Sequence, residues 1–349
     1  RGPSTSAEID APQWSEATAH LGVRFDPDHD GVGLRVRDLL PDGPATEKAS
    51  RILPNEVILA IDGVDVDSST DLTAILNGVS DRDIALSVQA VGKRGGKRKR
   101  RKAADGEIRE LTLRPISYGR ARSLLYEKWI DDNQSAVEKA SKGRLGYLHI
   151  VGMNMTSFYR FEEELYSVAA GKDGILIDVR ENGGGSTTDH LLTILTQPRH
   201  AITVPRGGGQ GYPHDRKVYA SWNKPVAVLC NQNSFSNAEI FSHAIKNLKR
   251  GKVIGVPTAG GVISTGGRSI MDLGFLRMPF RGWYLLNDGQ DMELNGAVPH
   301  HIIWNAPGDL PGGADPQLRR AVKALQKGVK KFKSQPLPKL IKSSERKTP

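Results

Sequence analysis

"VAVLCNQNSFSNAEIFSHAI", residues 226–245, passes from one backbone regime to another. Val226 to Cys230 is apolar and rich in valine, the composition of a strand buried on both faces. From Ala238 onward the apolar residues recur at helical spacing. Ser234 and Ser236 therefore sit where a strand hands over to a helix. Two readings are open. Serine is a favoured helix N-cap, and Ser236 with Glu239 three residues later spells a capping box. A serine at such a turn can also be a nucleophile, provided that a base, an oxyanion hole and a binding site come from elsewhere in the chain.

Outward from this stretch the same alternation repeats. "GYLHIV", a helix over 156–169, "GILIDVR", a helix over 187–195, the strand and helix just quoted (the helix over 237–248) and "KVIGV" follow one another. Strand and helix in turn predict an α/β domain with a largely parallel core, here over residues 144–310. In residues 311–349 a closing helix begins at Asp315-Pro316, with Leu318, Ala321, Val322 and Leu325 as its buried stripe. The Lys/Pro-rich tail after it is expected to be unstructured. Residues 20–117 read differently, as short β-rich runs such as "LGVRF", "EVILAIDG" and "IALSVQAV". Turn signals at Pro41-Asp42-Gly43-Pro44 and Asp62-Gly63 divide them. One short helix is expected over 69–76, with Leu72, Ile75 and Leu76 on a shared face. Residues 118–143 form a polar helical connector, and residues 1–19 a remnant of an upstream domain.

Composition narrows the function classes. The single cysteine, Cys230, excludes an internal disulfide framework and reads as core. No apolar run approaches the roughly 18 residues of a membrane span. The net charge of +10 is local: residues 93–102, "KRGGKRKRRK", carry eight positive charges, and most of the remaining excess lies beyond residue 316. The rest of the chain is acidic, so the basic runs read as a solvated hairpin tip and tail, and nucleic acid is not an expected partner. The chain opens on Arg1 and nothing in it resembles a signal peptide. The expectation is a cytoplasmic protein whose N-terminal part precedes Arg1, with periplasmic or secreted placement left open.

Two resemblances then connect the parts. "HLGVRF", "LLPDGPA" and "ILPNEVILAIDGVDV" resemble a PDZ domain of the bacterial protease type. That resemblance implies capture of a peptide end by the loop His20-Leu21-Gly22-Val23, facing the helix of Leu72 and Ile75. "ILIDVRENGGG" (175–185), "NSFSNAEIF" (233–241) and the Gly-x-Pro-Thr of 255–258 resemble the carboxy-terminal processing proteases and their tricorn relatives. The implied fold is crotonase/ClpP-like, with repeating β-α units. The implied nucleophile is Ser236, with the amides of Asn237 and of Gly184 (or its neighbour Gly183) as oxyanion hole and Ser234 as a structural neighbour.

The processing proteases place a lysine base where this chain has Gly261, which excludes a Ser–Lys dyad at that position. The tricorn branch uses a Ser-His pair ahead of the PDZ domain and a glutamate in a Glu-x-x-Gly segment. Glu293 in "MELNGAVP" matches the glutamate. No Ser-His pair precedes the PDZ-like block here, and His20, His149, His190, His243, His300 and His301 do not hold the base position. The pair is expected upstream of Arg1. The resemblance thus implies a serine peptidase acting on peptides or unfolded proteins through an acyl-enzyme, with no metal or organic cofactor, in a homo-oligomer. The alternative is a non-catalytic, PDZ-containing peptide-binding or scaffold protein of the same fold.

Overall fold

The computed structural model describes residues 17–91, 106–207, 211, 220–336 and 339–345. The chain divides into two compact units, one ending at Asp131 and the other starting at Asp132.

The first unit is β-rich. Strands β2 (Val23–Phe25), β3 (Leu34–Leu39), β4 (Val57–Ile61), β6 (Ile84–Gln89) and β7 (Ile108–Leu113) form an antiparallel sheet in the order β2-β3-β4-β6-β7, and β5 (Val64–Asp65) pairs with β4. A separate pair joins β1 (Ala19–His20) to β8 (Ile116–Ser117). In β6 the alternate residues Ile84, Leu86 and Val88 are buried, the period-2 pattern of a strand with one core face. Helix α1 (Leu72–Leu76) is shorter than the sequence implies. Asp67 takes the Ser69 amide and the Ser69 and Thr70 hydroxyls, which holds those residues in a turn, and Asp71 caps the helix by accepting the Thr73 amide. Leu72 and Ile75 pack against the cluster that contains Leu21, Val23 and Leu86. The basic run 93–102, expected as the tip between β6 and β7, lies outside the described residues.

Helix α2 (Tyr118–Ser141) leads into the second unit. There β9 (Leu145–His149), β10 (Gly174–Asp178), β11 (Val226–Cys230), β12 (Gly251–Gly255) and β15 (His301–Ile302) form a parallel sheet in the order β15-β12-β11-β10-β9. Every residue of β9, β10 and β11 is buried, which explains why their sequences run apolar without alternating. The crossovers are α3 (Met155–Tyr166), α4 (Thr188–Thr196) and α5 (Asn237–Asn247), whose inner faces (Phe161, Leu191, Phe241) meet the sheet in one core. Closing helix α6 (Pro316–Lys333) is capped by Asp315, whose Oδ1 accepts the Leu318 amide at 2.9 Å, and buries Leu318, Ala321, Val322 and Leu325 as its sequence predicts.

A buried ion pair fixes α6 to the sheet. Arg180, just past β10, donates to Asp178 at 2.7 Å and to Asp315 at 2.7 Å, and Tyr147 donates to Asp178 at 2.9 Å. The hairpin β13 (Ser264–Ile270) and β14 (Gly274–Arg281) was not evident in the sequence. Its residues are exposed along most of its length, so no alternation of burial marks it.

Candidate active site

Ser236 is the residue at which β11 turns into α5. Its backbone has φ 55° and ψ −118°, in the half of conformational space that residues with a Cβ seldom occupy. Such a conformation costs on the order of 1–3 kcal/mol and persists only where the surroundings over-determine it. Glu239 is fully buried and does much of that determining. One carboxylate oxygen accepts the Ser236 amide and the Gly261 amide, both at 2.9 Å. The other accepts the Thr258 hydroxyl and the Gly260 amide. The sequence suggests a capping box, and Ser236 and Glu239 do adopt its outline. The Glu239 amide also donates to the Ser236 carbonyl oxygen at 2.9 Å. Ser234 is placed differently. It is fully buried, its hydroxyl donates to the Val179 carbonyl at 2.7 Å, and it accepts the Asn231 amide at 3.0 Å.

The glycine segment after β10 lies against this turn. A Cβ on Gly184 would stand 2.7 Å from the Ser236 Cβ and 3.1 Å from the Asn237 nitrogen, and Gly184 has φ +94°, so only glycine fits. Asn237 opens α5, and its amide has no partner among the described residues, as expected for a first-turn N–H. Its side chain accepts the Thr188 amide at 2.8 Å and its carbonyl accepts the Thr188 hydroxyl at 2.7 Å, which ties the start of α5 to the start of α4.

The expected role of Gly184 needs correction. Its amide donates to Asn182 Oδ1 at 2.9 Å. Asn182 is fully buried, and its oxygen requires a partner that the Gly184 N–H supplies. Gly184 therefore provides the close approach but not the hydrogen-bond donor. Gly183 and Gly185, on either side, line the cleft together with Ser236 and Asn237.

That cleft has a volume of about 780 Å³ and also contains Glu293, Ser186, Asp189 and the cleft-facing residues of the β13–β14 hairpin. Glu293 is half-buried, and its carboxylate accepts the amides of Val262 and Ile263 at 2.7 Å each. Ser236, Asn237 and Glu293 thus share one cavity, although they come from segments far apart in sequence. Among the described residues no group of three or more His, Cys, Asp or Glu side chains is arranged to hold a metal.

Residues 144–303 match the family described as Peptidase family S41. The α/β unit is a peptidase S41 domain. Tricorn protease homolog 1 of Streptomyces coelicolor is 29% identical over 304 residues, covering 84% of this chain and 27% of the relative. Tricorn protease of Thermoplasma acidophilum is 32% identical over 206 residues, covering 58% of this chain and 19% of the relative. A crystal structure of the tricorn protease superposes with a TM-score of 0.68 at 24% identity, over 90% of this chain and 29% of that one, and shares the fold. The chain spans about a quarter of the length of these relatives.

None of the described histidines lines the cleft that holds Ser236. His243 lies seven residues along α5, roughly 10 Å at 1.5 Å per residue. Its Nε2 is 3.2 Å from the Asn295 carbonyl, and burial holds its pKa below the ordinary histidine value. It belongs to the one Ser-His dipeptide in the chain, Ser242-His243, which lies within α5; Ser242 donates to the Ala238 carbonyl inside the helix. His149 is buried in β9, His300 accepts the Val253 amide at 3.1 Å, and His190 packs edge-on against Phe158. At the lysine position of the processing proteases, a Cβ on Gly261 would meet the Phe235 ring at 2.3 Å. The ring occupies the space a side chain would need. In the first unit, Leu21 and Val23 are buried, and the Gly22 amide donates to His20 Nδ1 at 2.9 Å. Of the loop amides expected to take a peptide carboxylate, that one is already engaged.

Proposed function

We propose that this chain carries the nucleophile and electrostatic half of a serine peptidase site, with Ser236 forming the acyl-enzyme. The observation that carries this reading is the strained Ser236 turn, held by Glu239 against a glycine segment, beside an Asn237 amide with no partner among the described residues. The hydroxyl attacks the peptide carbonyl. The developing negative oxygen is taken by the Asn237 amide, a preorganised donor at a helix start, and such donors supply a large share of acyl-transfer catalysis. Gly185 is the second donor. The Gly184 carbonyl accepts the Met153 amide, and the trans peptide turns the next N–H to the opposite side. Glu293, with its carboxylate anchored on two amides, positions the base.

The base is a histidine supplied by a Ser-His pair outside residues 1–349. The placement of the described histidines supports this, since none of them lines the cleft with Ser236. In a polypeptide that includes the upstream residues, a fluorophosphonate should label Ser236, and Ser236→Ala should abolish labelling and peptide cleavage. Residues 1–349 alone should turn over peptides roughly 10²–10⁴ times more slowly, the usual contribution of a positioned general base. Full activity of the 349-residue chain would overturn the assignment of the base.

A second reading, peptide capture by a PDZ-type first unit, is favoured by the position of β2. It is an edge strand, and α1 packs Leu72 and Ile75 into the core that Leu21 and Val23 share. An added peptide strand would pair with that edge. Titration of a peptide carrying a free C-terminus against residues 1–349 tests it, with chemical-shift changes expected at Leu21 to Val23 and Leu72.

A further inference from the structure

We infer that Arg277 and Arg281 form a subsite for a carboxylate of the peptide, in the same cleft as Ser236; the inference rests on the peptidase reading of that cleft. Both arginines are on β14, four residues apart, with a register shift between Pro279 and Arg281. Both line the cavity that holds Ser236 and Glu293.

The way each guanidinium is held matters most. Arg277 donates from Nε to the Thr265 hydroxyl at 2.8 Å, and Arg281 donates from Nε to the Ser264 hydroxyl at 3.3 Å. The Arg281 guanidinium also lies 5.6 Å from the Phe280 ring centre and 5.5 Å from that of Trp283, whose Nε1 shares Ser264 at 3.1 Å. Each arginine therefore spends its inner nitrogen on orientation, and its two terminal nitrogens have no partner among the described residues. Both side chains are exposed, and these contacts limit where their guanidinium groups can point. A pair of terminal N–H₂ groups fixed in orientation is the geometry that takes a carboxylate bidentately.

The acidic groups of the cleft do not contact the pair. Glu293 accepts the Val262 and Ile263 amides, and among the described residues neither Glu293 nor Asp189 forms an ion pair with Arg277 or Arg281. The hairpin wall of the cleft thus presents two positive groups, with the carboxylates Asp189 and Glu293 elsewhere in its lining. The matching peptide group is a carboxylate, from an Asp or Glu side chain or from the chain end.

Binding to the Ser236→Ala form of residues 1–349, which requires no hydrolysis, tests this. Three matched fluorescent octapeptides serve as probes: one neutral and amidated, one amidated with a single Glu, and one neutral with a free C-terminus. At least one carboxylate peptide should bind about 10- to 100-fold tighter than the neutral one, as hydrogen bonds to charged groups imply. That preference should shrink with added salt, disappear in Arg277→Gln/Arg281→Gln, and return only in part in the corresponding Lys variants. The peptide that keeps the preference identifies the carboxylate's source. Equal binding of all three peptides, binding of none, or a preference that survives the double Gln change overturns the subsite. Failure of Ser236 to react with a fluorophosphonate in the polypeptide that includes the upstream residues, with the carboxylate preference intact, would overturn the peptidase reading instead.

Discussion

The Glu239 carboxylate accepts the backbone amide of Ser236 at 2.9 Å, so the strained residue at the β11–α5 turn is held by a side chain one helical turn ahead of it. The same carboxylate reaches Thr258, Gly260 and Gly261, and thereby joins the candidate nucleophile to the loop that follows β12. Glu239→Ala would strand several buried donors at once, each at about 1–3 kcal/mol. The expected result is a loss of roughly 3 kcal/mol or more in unfolding free energy, read by urea denaturation. Glu239→Gln keeps the shape but turns an NH₂ toward donors, and it should lose Ser236 labelling even at temperatures where the protein stays folded.

Ser234 and Ser236 separate stability from reactivity. Ser234→Ala leaves the buried Asn231 amide and Val179 carbonyl without the hydroxyl that joins them. A loss of about 1–3 kcal/mol is expected, with fluorophosphonate labelling of the folded protein retained. Labelling lost with Ser234 and kept with Ser236→Ala would exchange the two roles.

Gly261→Lys should not create a Ser–Lys dyad. The new Cβ would stand 2.3 Å from the Phe235 ring, and overpacking of this kind costs about 1–3 kcal/mol. Phe235→Ala combined with Gly261→Lys should recover most of that stability, since the obstruction is one ring. Thermal melts of the two variants side by side check this; a single variant as stable as the parent would show that the ring moves aside freely.

How much of this was legible beforehand follows from what each feature depends on. Strands β9 to β12 and the helices between them were readable, because burial on both faces forces continuous apolar runs and the crossover helices carry a 3.6-residue period. The Ser236 turn and Glu293 could be found because motif spacing records them. Glu239 was visible only as a capping residue; its bonds to Thr258 and Gly260 depend on a loop about twenty residues away folding back, which no local pattern announces. The engagement of the Gly184 amide was hidden for the same reason, since it depends on the rotamer of Asn182. The hairpin that bears Arg277 and Arg281 lacks the buried alternation by which strands are recognised.

Arg180→Met should be among the most damaging substitutions in the α/β unit. Asp178 is fully buried, and burial by itself raises its pKa; the charge and hydrogen bonds of Arg180 outweigh that and hold it below the ordinary carboxylate value. Removing the arginine leaves a buried carboxylate without its counter-ion, a change that costs about 3–5 kcal/mol. The depressed pKa of Asp178 gives stability that is present above its unfolded value and lost as pH falls through the folded one. Without Arg180, burial leaves the Asp178 carboxyl easier to protonate, so the variant's deficit should be largest near pH 7 and shrink as pH falls, which urea unfolding of both proteins between pH 7 and pH 4 measures.

His149 gives the protein a second pH dependence, in a different window. Burial in β9 lowers its pKa from 6.5 to about 4, the effect of the nearby Asp178 charge being smaller and opposite in sign. The folded state therefore holds the ring neutral where the unfolded chain would bind a proton. The unfolded state binds more protons between these two values, so stability is complete above pH 6.5, declines as pH falls, and levels off below about 4. The shift corresponds to about 3 kcal/mol across the window, on the scale of 1.36 kcal/mol per pKa unit. His20, His243, His300 and His301 are lowered in the same direction by burial, so the parent's curve alone does not isolate His149. Comparison with His149→Leu does. Urea unfolding of both proteins at pH 7.5, 6.5, 5.5 and 4.5 should show the parent losing about 3 kcal/mol more than the variant over that range. Parallel curves would mean that His149 is protonated in the folded protein near its ordinary pKa, and the strand's interior would then have to be more accessible to water than its burial indicates.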